Sequence, residues 1–149
     1  MTAKAPVIAR FSKRFDEPAE RVFDAWLSRP MIGRWMFGPD VRAEEIVRLS
    51  IDPRVGGAFC FVVEREGEEV EHRGKYLEIA RPSRLVFTWV VAGERAGSRV
   101  LVDIASHGEA CELTLTHELH PDWAPFIGRV EESWQHMLHV LAVTLKESR

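Results

Sequence analysis

The chain has 149 residues, 46% of them apolar and 29% charged, with a formal net charge of −3. This length suits a single domain over residues 1–149 that buries a full core without disulfides or metal, and the apolar share excludes a disordered chain. Lys and Arg number 20 against 23 Asp and Glu, so no global positive field exists to hold a nucleic-acid backbone.

Val7 to Phe15 (VIARFSKRF) alternates apolar and polar residues, which predicts a half-buried strand. Asp16-Glu17-Pro18 reads as a helix start, with acids at the positive end and Pro in the first turn. Val22, Phe23, Trp26 and Leu27 give that helix one buried face. Pro30 interrupts it, Met31 to Met36 form a short second helix, and Gly38-Pro39 ends the region. From Val41 to about Leu119 the pattern is strands separated by turn residues. Val41, Ala43, Glu45, Val47, Leu49 and Ile51 are expected on one face of a long strand, and Gly56-Gly57 is a tight connection. Phe59, Phe61 and Val63 follow at period two, and Gly67 turns the chain inside a charged run, Glu64 to Glu71, that reads as a solvated hairpin tip. Tyr76 and its neighbours run to Pro82-Ser83. Leu85, Phe87, Trp89 and Val91 share a face, as do Val100, Val102 and Ile104, and then Cys111, Leu113, Leu115 and His117. Short turns between consecutive strands predict an antiparallel meander.

The segment from about Asp122 to Glu147 is helical. Ile127, Val130, Trp134, Met137, Leu138, Leu141 and Leu145 fall in one stripe, a face that needs a sheet to cover it. Val140 and Val143 are expected on the polar side, where they offer slight ground for a homodimer. The predicted fold is α+β: a curved antiparallel sheet of about six to seven strands gripping a long C-terminal helix, with two short helices after the first strand.

A bent sheet and a helix across it can leave an apolar pocket with a few polar groups. The bulky inward residues make Trp35, Phe37, Phe59, Phe61, Tyr76, Phe87, Trp89, His117, Trp134, Met137, Leu138 and Leu141 the candidate ligand-binding set. His117 faces inward by parity and needs a hydrogen-bond partner there; Tyr76, the only tyrosine, offers a phenolic hydroxyl. His136 and His139 lie at about 200° and 140° from Trp134 on a helical projection, opposite the apolar stripe, and no third metal ligand accompanies them. His117 and His120 near Asp122 form an equally weak group. Glu45 and Glu131 stand on or near inward faces and read as solvated flanks before general bases. Cys60 and Cys111 form no CxxC pair. GxSxG, GxGxxG, HExxH and Walker motifs are missing, so no catalytic residue, cofactor or metal is assigned. No apolar run is long enough to cross a bilayer and the N-terminus lacks a signal-peptide pattern, so a cytoplasmic setting is expected, without membrane insertion.

The motifs together resemble a known family. Phe15-Asp16-Glu17-Pro18 with Val22-Phe23 and Ala25-Trp26, Arg34-Trp35-Met36-Phe37-Gly38-Pro39, and Arg54-Val55-Gly56-Gly57-Ala58-Phe59 come in order. Gly74-Lys75-Tyr76-Leu77-Glu78-Ile79, Pro82 with Arg84-Leu85-Val86-Phe87-Thr88-Trp89, and Leu113-Thr114-Leu115-Thr116-His117 follow. In this the chain is similar to the family named for homologues of the activator of the heat-shock protein 90 ATPase (AHSA1-type), in the START-like (SRPBCC, Bet v 1-like) superfamily. It departs from the family's double tryptophan at Trp35-Met36-Phe37 and from its glycine-tryptophan at Ser133-Trp134, both at the expected lining. The resemblance implies a helix-grip fold with a central apolar cavity that binds a small hydrophobic molecule. The alternatives are a cyclase- or hydrolase-type enzyme using polar groups in that cavity, and a chaperone-ATPase-activating interaction module.

Overall fold

The computed structural model describes residues 5–91 and 97–148. Its strands are β1 (Val7–Phe15), β2 (Glu45–Ile51), β3 (Ala58–Arg65), β4 (Glu68–Ala80), β5 (Arg84–Val91), β6 (Ser98–His107) and β7 (Ala110–Leu119). All seven form one antiparallel sheet in the order β1-β7-β6-β5-β4-β3-β2. The chain therefore meanders from β2 to β7, and β1 returns to pair with β7 from Val7–Leu119 to Phe15–Cys111. Alternation does what the pattern predicts: Phe59, Phe61, Val63, Phe87, Val100, Val102, Leu113 and Leu115 are buried on the concave face. At the β3–β4 hairpin both Glu66 (φ 53°) and Gly67 (φ 83°) take the left-handed conformation, the signature of a two-residue type I′ turn.

Three α-helices cover the concave side: α1 (Ala19–Asp24), α2 (Arg29–Trp35) and α3 (Ile127–Glu147). Pro30 does not interrupt a helix but opens α2. It sits in the first turn, where its missing N–H is not needed, and Ser28 Oγ caps the helix by accepting from Met31 N at 3.4 Å. The C-terminal helix begins later than Asp122. Residues Pro121–Phe126 form a 3₁₀ turn that holds two prolines, and α3 starts at Ile127.

Two expectations about facing are corrected. The second strand starts at Glu45, not Val41, and its register slips between Ile46 and Arg48, so Val47 bulges out. Glu45, Ile46 and Val47 are exposed on this edge, and only Leu49 and Ile51 turn partly inward. Val140 does not project from a polar face. It is buried in the core because α2 packs over that side of α3, and only Val143 remains exposed. Of the pair, Val143 alone is at the surface.

Candidate functional site

The inner end of the space between sheet and helices is filled. Phe59 stacks on Phe61 at 4.9 Å and meets Tyr76 at 5.4 Å and Phe87 at 5.7 Å, ring centre to ring centre. Trp26 packs edge-on against Trp35 at 4.7 Å. What remains between Trp26, Ile32, Met36, Phe59, Phe61, Tyr76, Phe87 and Trp89 is a gap of about 10 Å³, too little for more than one water. Burial pushes the Tyr76 phenol well above its ordinary value, so it stays protonated. Trp26 Nε1 is buried with no hydrogen-bond partner among the described residues.

Beyond Met36 and Trp89, which line both spaces, the cavity widens to about 570 Å³ beside the N-terminal half of α3. Of the residues expected from sequence, Phe37, Trp89, His117, Trp134 and Met137 line it. Phe59, Phe61, Tyr76 and Phe87 line only the closed inner gap. Trp35, Leu138 and Leu141 reach neither space: the Trp35 indole donates to Ala25 O at 3.0 Å, and the two leucines are fully buried in the helix–sheet core.

Sequence reading missed His72, Ser98, Trp123, Arg42, Arg65 and Arg129, all of which line this cavity, and Ser133 lines it as the departure at Ser133-Trp134 suggested. For three of them a signal exists. Arg65 continues the period-two face of Phe59, Phe61 and Val63; His72 is in phase with Tyr76 on β4; Ser98 is in phase with Val100 and Val102 on β6. Arg42 and Trp123 lie outside regular strands and carry no such mark.

The polar groups at the β6–β7 side form one directed chain. Trp134 Nε1 donates to His117 Nδ1 at 3.1 Å, and His117 Nε2 lies 2.7 Å from Ser98 Oγ. Ser98 Oγ in turn donates to Trp89 O at 2.9 Å. Indole offers only a donor, so Nδ1 must accept and the imidazole proton sits on Nε2, pointing to Ser98. Burial depresses the His117 pKa to about 4, so the ring is neutral at pH 7. Neither lone pair nor serine proton is left for base or nucleophile chemistry. On the opposite wall His72 Nδ1 donates to Phe61 O at 3.3 Å, and its ring lies 5.1 Å from Phe37 and 5.4 Å from Trp89. Desolvation, with Arg65 and Arg42 adding to it, brings His72 to about 4 as well.

Charge gathers near His72. Glu44, wholly buried, holds Arg65 through Oε2 at 2.8 Å, while its Oε1 has no hydrogen-bond partner among the described residues. Glu45 is exposed, a solvated flank although its parity suggested an inward face, and the neighbouring Glu44 has the buried side chain. Glu131 accepts from the backbone N–H of Arg10 at 3.2 Å, which pins α3 to the free edge of β1. His136 donates to Asp40 O at 3.1 Å, His120 caps the 3₁₀ turn, and His139 is exposed. Among the described residues no group of three or more His, Cys, Asp or Glu is placed to hold a metal ion. Nor, among them, is any helix long and apolar enough to cross a membrane.

The model of the Activator of Hsp90 ATPase homolog 1-like protein family matches residues 16–146. The chain belongs to this family. The match covers every residue lining the cavity. Solved structures share its fold over almost the whole length. Protein CV1439 from Chromobacterium violaceum is 25% identical over 93% of this chain and 97% of its own, with a TM-score of 0.77. A Rhodobacter sphaeroides protein is 18% identical, covers 100% of this chain and 98% of its own, and has a TM-score of 0.83. PFC0360w, an HSP90 activator from Plasmodium falciparum, is 24% identical over 93% of this chain and 96% of its own, with a TM-score of 0.71. No curated protein matches the sequence. The curved seven-stranded sheet with its long C-terminal helix is the helix-grip arrangement these neighbours share.

Proposed function

We propose that this family member binds a small hydrophobic molecule in the cavity beside α3. The observation that carries the reading is the cavity of about 570 Å³ walled by Phe37, Trp89, Trp134 and Met137. That volume lies within the range of small-molecule sites, and an apolar wall with a few fixed polar groups is their usual chemistry. Filling it would remove aromatic surface from water at about 25 cal/mol per Å², enough for useful affinity from a ligand of modest size. Binding is favoured over catalysis because the His117 lone pair and the Ser98 proton are both engaged. Native mass spectrometry of freshly purified protein tests the proposal, together with thermal shifts against a panel of lipids, flavonoids and polyketides. A retained mass or a ligand-dependent rise in Tm supports it. No retained mass and no shift with any compound would overturn it.

Family membership and the likeness to a Plasmodium HSP90 activator favour a second reading, action on a chaperone ATPase. Adding the protein to its cognate Hsp90 and measuring ATP turnover decides it: an unchanged rate at saturating protein removes this role.

A further inference from the structure

The cavity beside α3 has apolar walls and a cationic lining. Arg42, Arg65 and Arg129 all line it, and none of its described lining residues is acidic. Glu44, behind the lining, is the carboxylate beside Arg42 and Arg65, and its hydrogen bond goes to Arg65 through a single oxygen. The Arg42 guanidinium has no hydrogen bond or ion pair among the described residues. Burial and the neighbouring Arg65 charge drive its guanidinium below the ordinary value, and Glu44 opposes this only in part. Arg42 and Arg65 thus share one anion beside tryptophan faces, where the local dielectric is lower than in water and like charges repel more strongly. Arg42 and Arg129 are exposed, so an anion meeting them keeps one side in water while the rest of its molecule is enclosed.

We propose that the ligand is amphipathic: an apolar body lies against Trp89 and Trp134, and a single anionic group, of carboxylate or sulfonate type, pairs with Arg42 and Arg65. This rests on the ligand-binding reading above and adds the class of molecule. A guanidinium presents a planar fork of donors that matches such an oxyanion.

The test uses two probes with the same aromatic body, 8-anilinonaphthalene-1-sulfonate and the uncharged N-phenyl-1-naphthylamine, titrated by fluorescence into the intact protein. The expected result is at least tenfold tighter binding of the sulfonate, a preference that shrinks in 0.5 M salt. Arg42→Gln should abolish most of that preference by weakening the sulfonate far more than the neutral probe. The Arg42 side chain makes no hydrogen bond among the described residues, and glutamine keeps the backbone bond to Gly38 O, so this variant keeps the fold; Arg65→Gln is a second variant, read only where neutral-probe binding persists. Dodecanoate and dodecanol as displacing ligands repeat the comparison for a straight-chain body, and a larger charge preference in one pair identifies the body the cavity takes. Equal affinity for charged and neutral members of both pairs would overturn the anion and leave the cavity reading standing. A preference that survives Arg42→Gln and salt would overturn it too. Failure of every probe to bind would remove both.

Discussion

Trp134 Nε1 donates to His117 Nδ1 across 3.1 Å, and this one bond decides which imidazole nitrogen carries the proton. Because α3 supplies the indole and β7 the imidazole, it also ties the helix to the concave face of the sheet. Trp134→Phe keeps an aromatic ring but removes the donor, leaving Nδ1 buried without a partner. The expected loss is about 1–3 kcal/mol of unfolding free energy in urea denaturation. A loss under a few tenths of a kcal/mol would show that water or a shifted side chain takes the indole's place.

Stability should depend on pH through His117 and His72. Both titrate near 6.5 when unfolded and near 4 in the fold, chiefly because burial penalises the charged ring. Above pH 6.5 neither state binds these protons and stability is at its full value. Between about 6.5 and 4 the unfolded chain takes them up and the folded chain does not, so stability falls as pH falls, by at most about 1.4 kcal/mol per pH unit for each histidine. Denaturation at pH 7.5, 6 and 5 measures this. His117→Asn should flatten part of the slope, and an unchanged slope would mean that other groups produce it.

Gly74 lies on β4 where a Cβ would run into the Thr88 carbonyl oxygen on β5 and the ring of Phe59 on β3. Gly74→Ala must therefore spread the strands or tilt Phe59, the ring that touches Phe61, Tyr76, Phe87 and Trp89. Overpacking of this kind costs about 1–3 kcal/mol. A drop in Tm should be accompanied by changed near-ultraviolet circular dichroism, since the aromatic stack moves.

Val140 and Val143 separate the two sides of α3. Val140→Asp places a charge in the core beneath α2 and should cost more than about 3 kcal/mol or prevent folding; Val143→Asp, on the exposed side, should stay within about 0.5 kcal/mol. Equal effects at the two positions would mean that α3 is rotated from the position described.

Much of this molecule can be read from its residues, and the failures have physical causes. Alternation located β3, β5, β6 and β7 because each buries one face against the helices. It failed on β2 because this edge strand carries a bulge and little of it is buried, so nothing ties Val41, Ala43 or Glu45 to an inward parity. The stripe on α3 was legible for the face that meets the sheet, but the burial of Val140 comes from α2, a contact made by residues more than a hundred positions away. At the site, the aromatic residues were visible as a set. Which of them pack shut, as Phe59 and Phe87 do, and which border open space, as Trp89 and Trp134 do, depends on ring orientation that spacing does not encode. Arg42 stayed hidden because a long charged side chain in a loop looks the same whether it turns to solvent or over a cavity.

The pairing of β1 with β7 governs the order in which the molecule can assemble. Residues 7–15 find their hydrogen-bonding partner only at residues 111–119, so on the ribosome the first strand waits, unpaired, until about a hundred further residues have been synthesised. The hairpins from β2 to β7 have no such wait, since each strand follows its neighbour directly. The partners of the first strand and the residues of α3 are synthesised last, so until they emerge the apolar concave face lacks these covers.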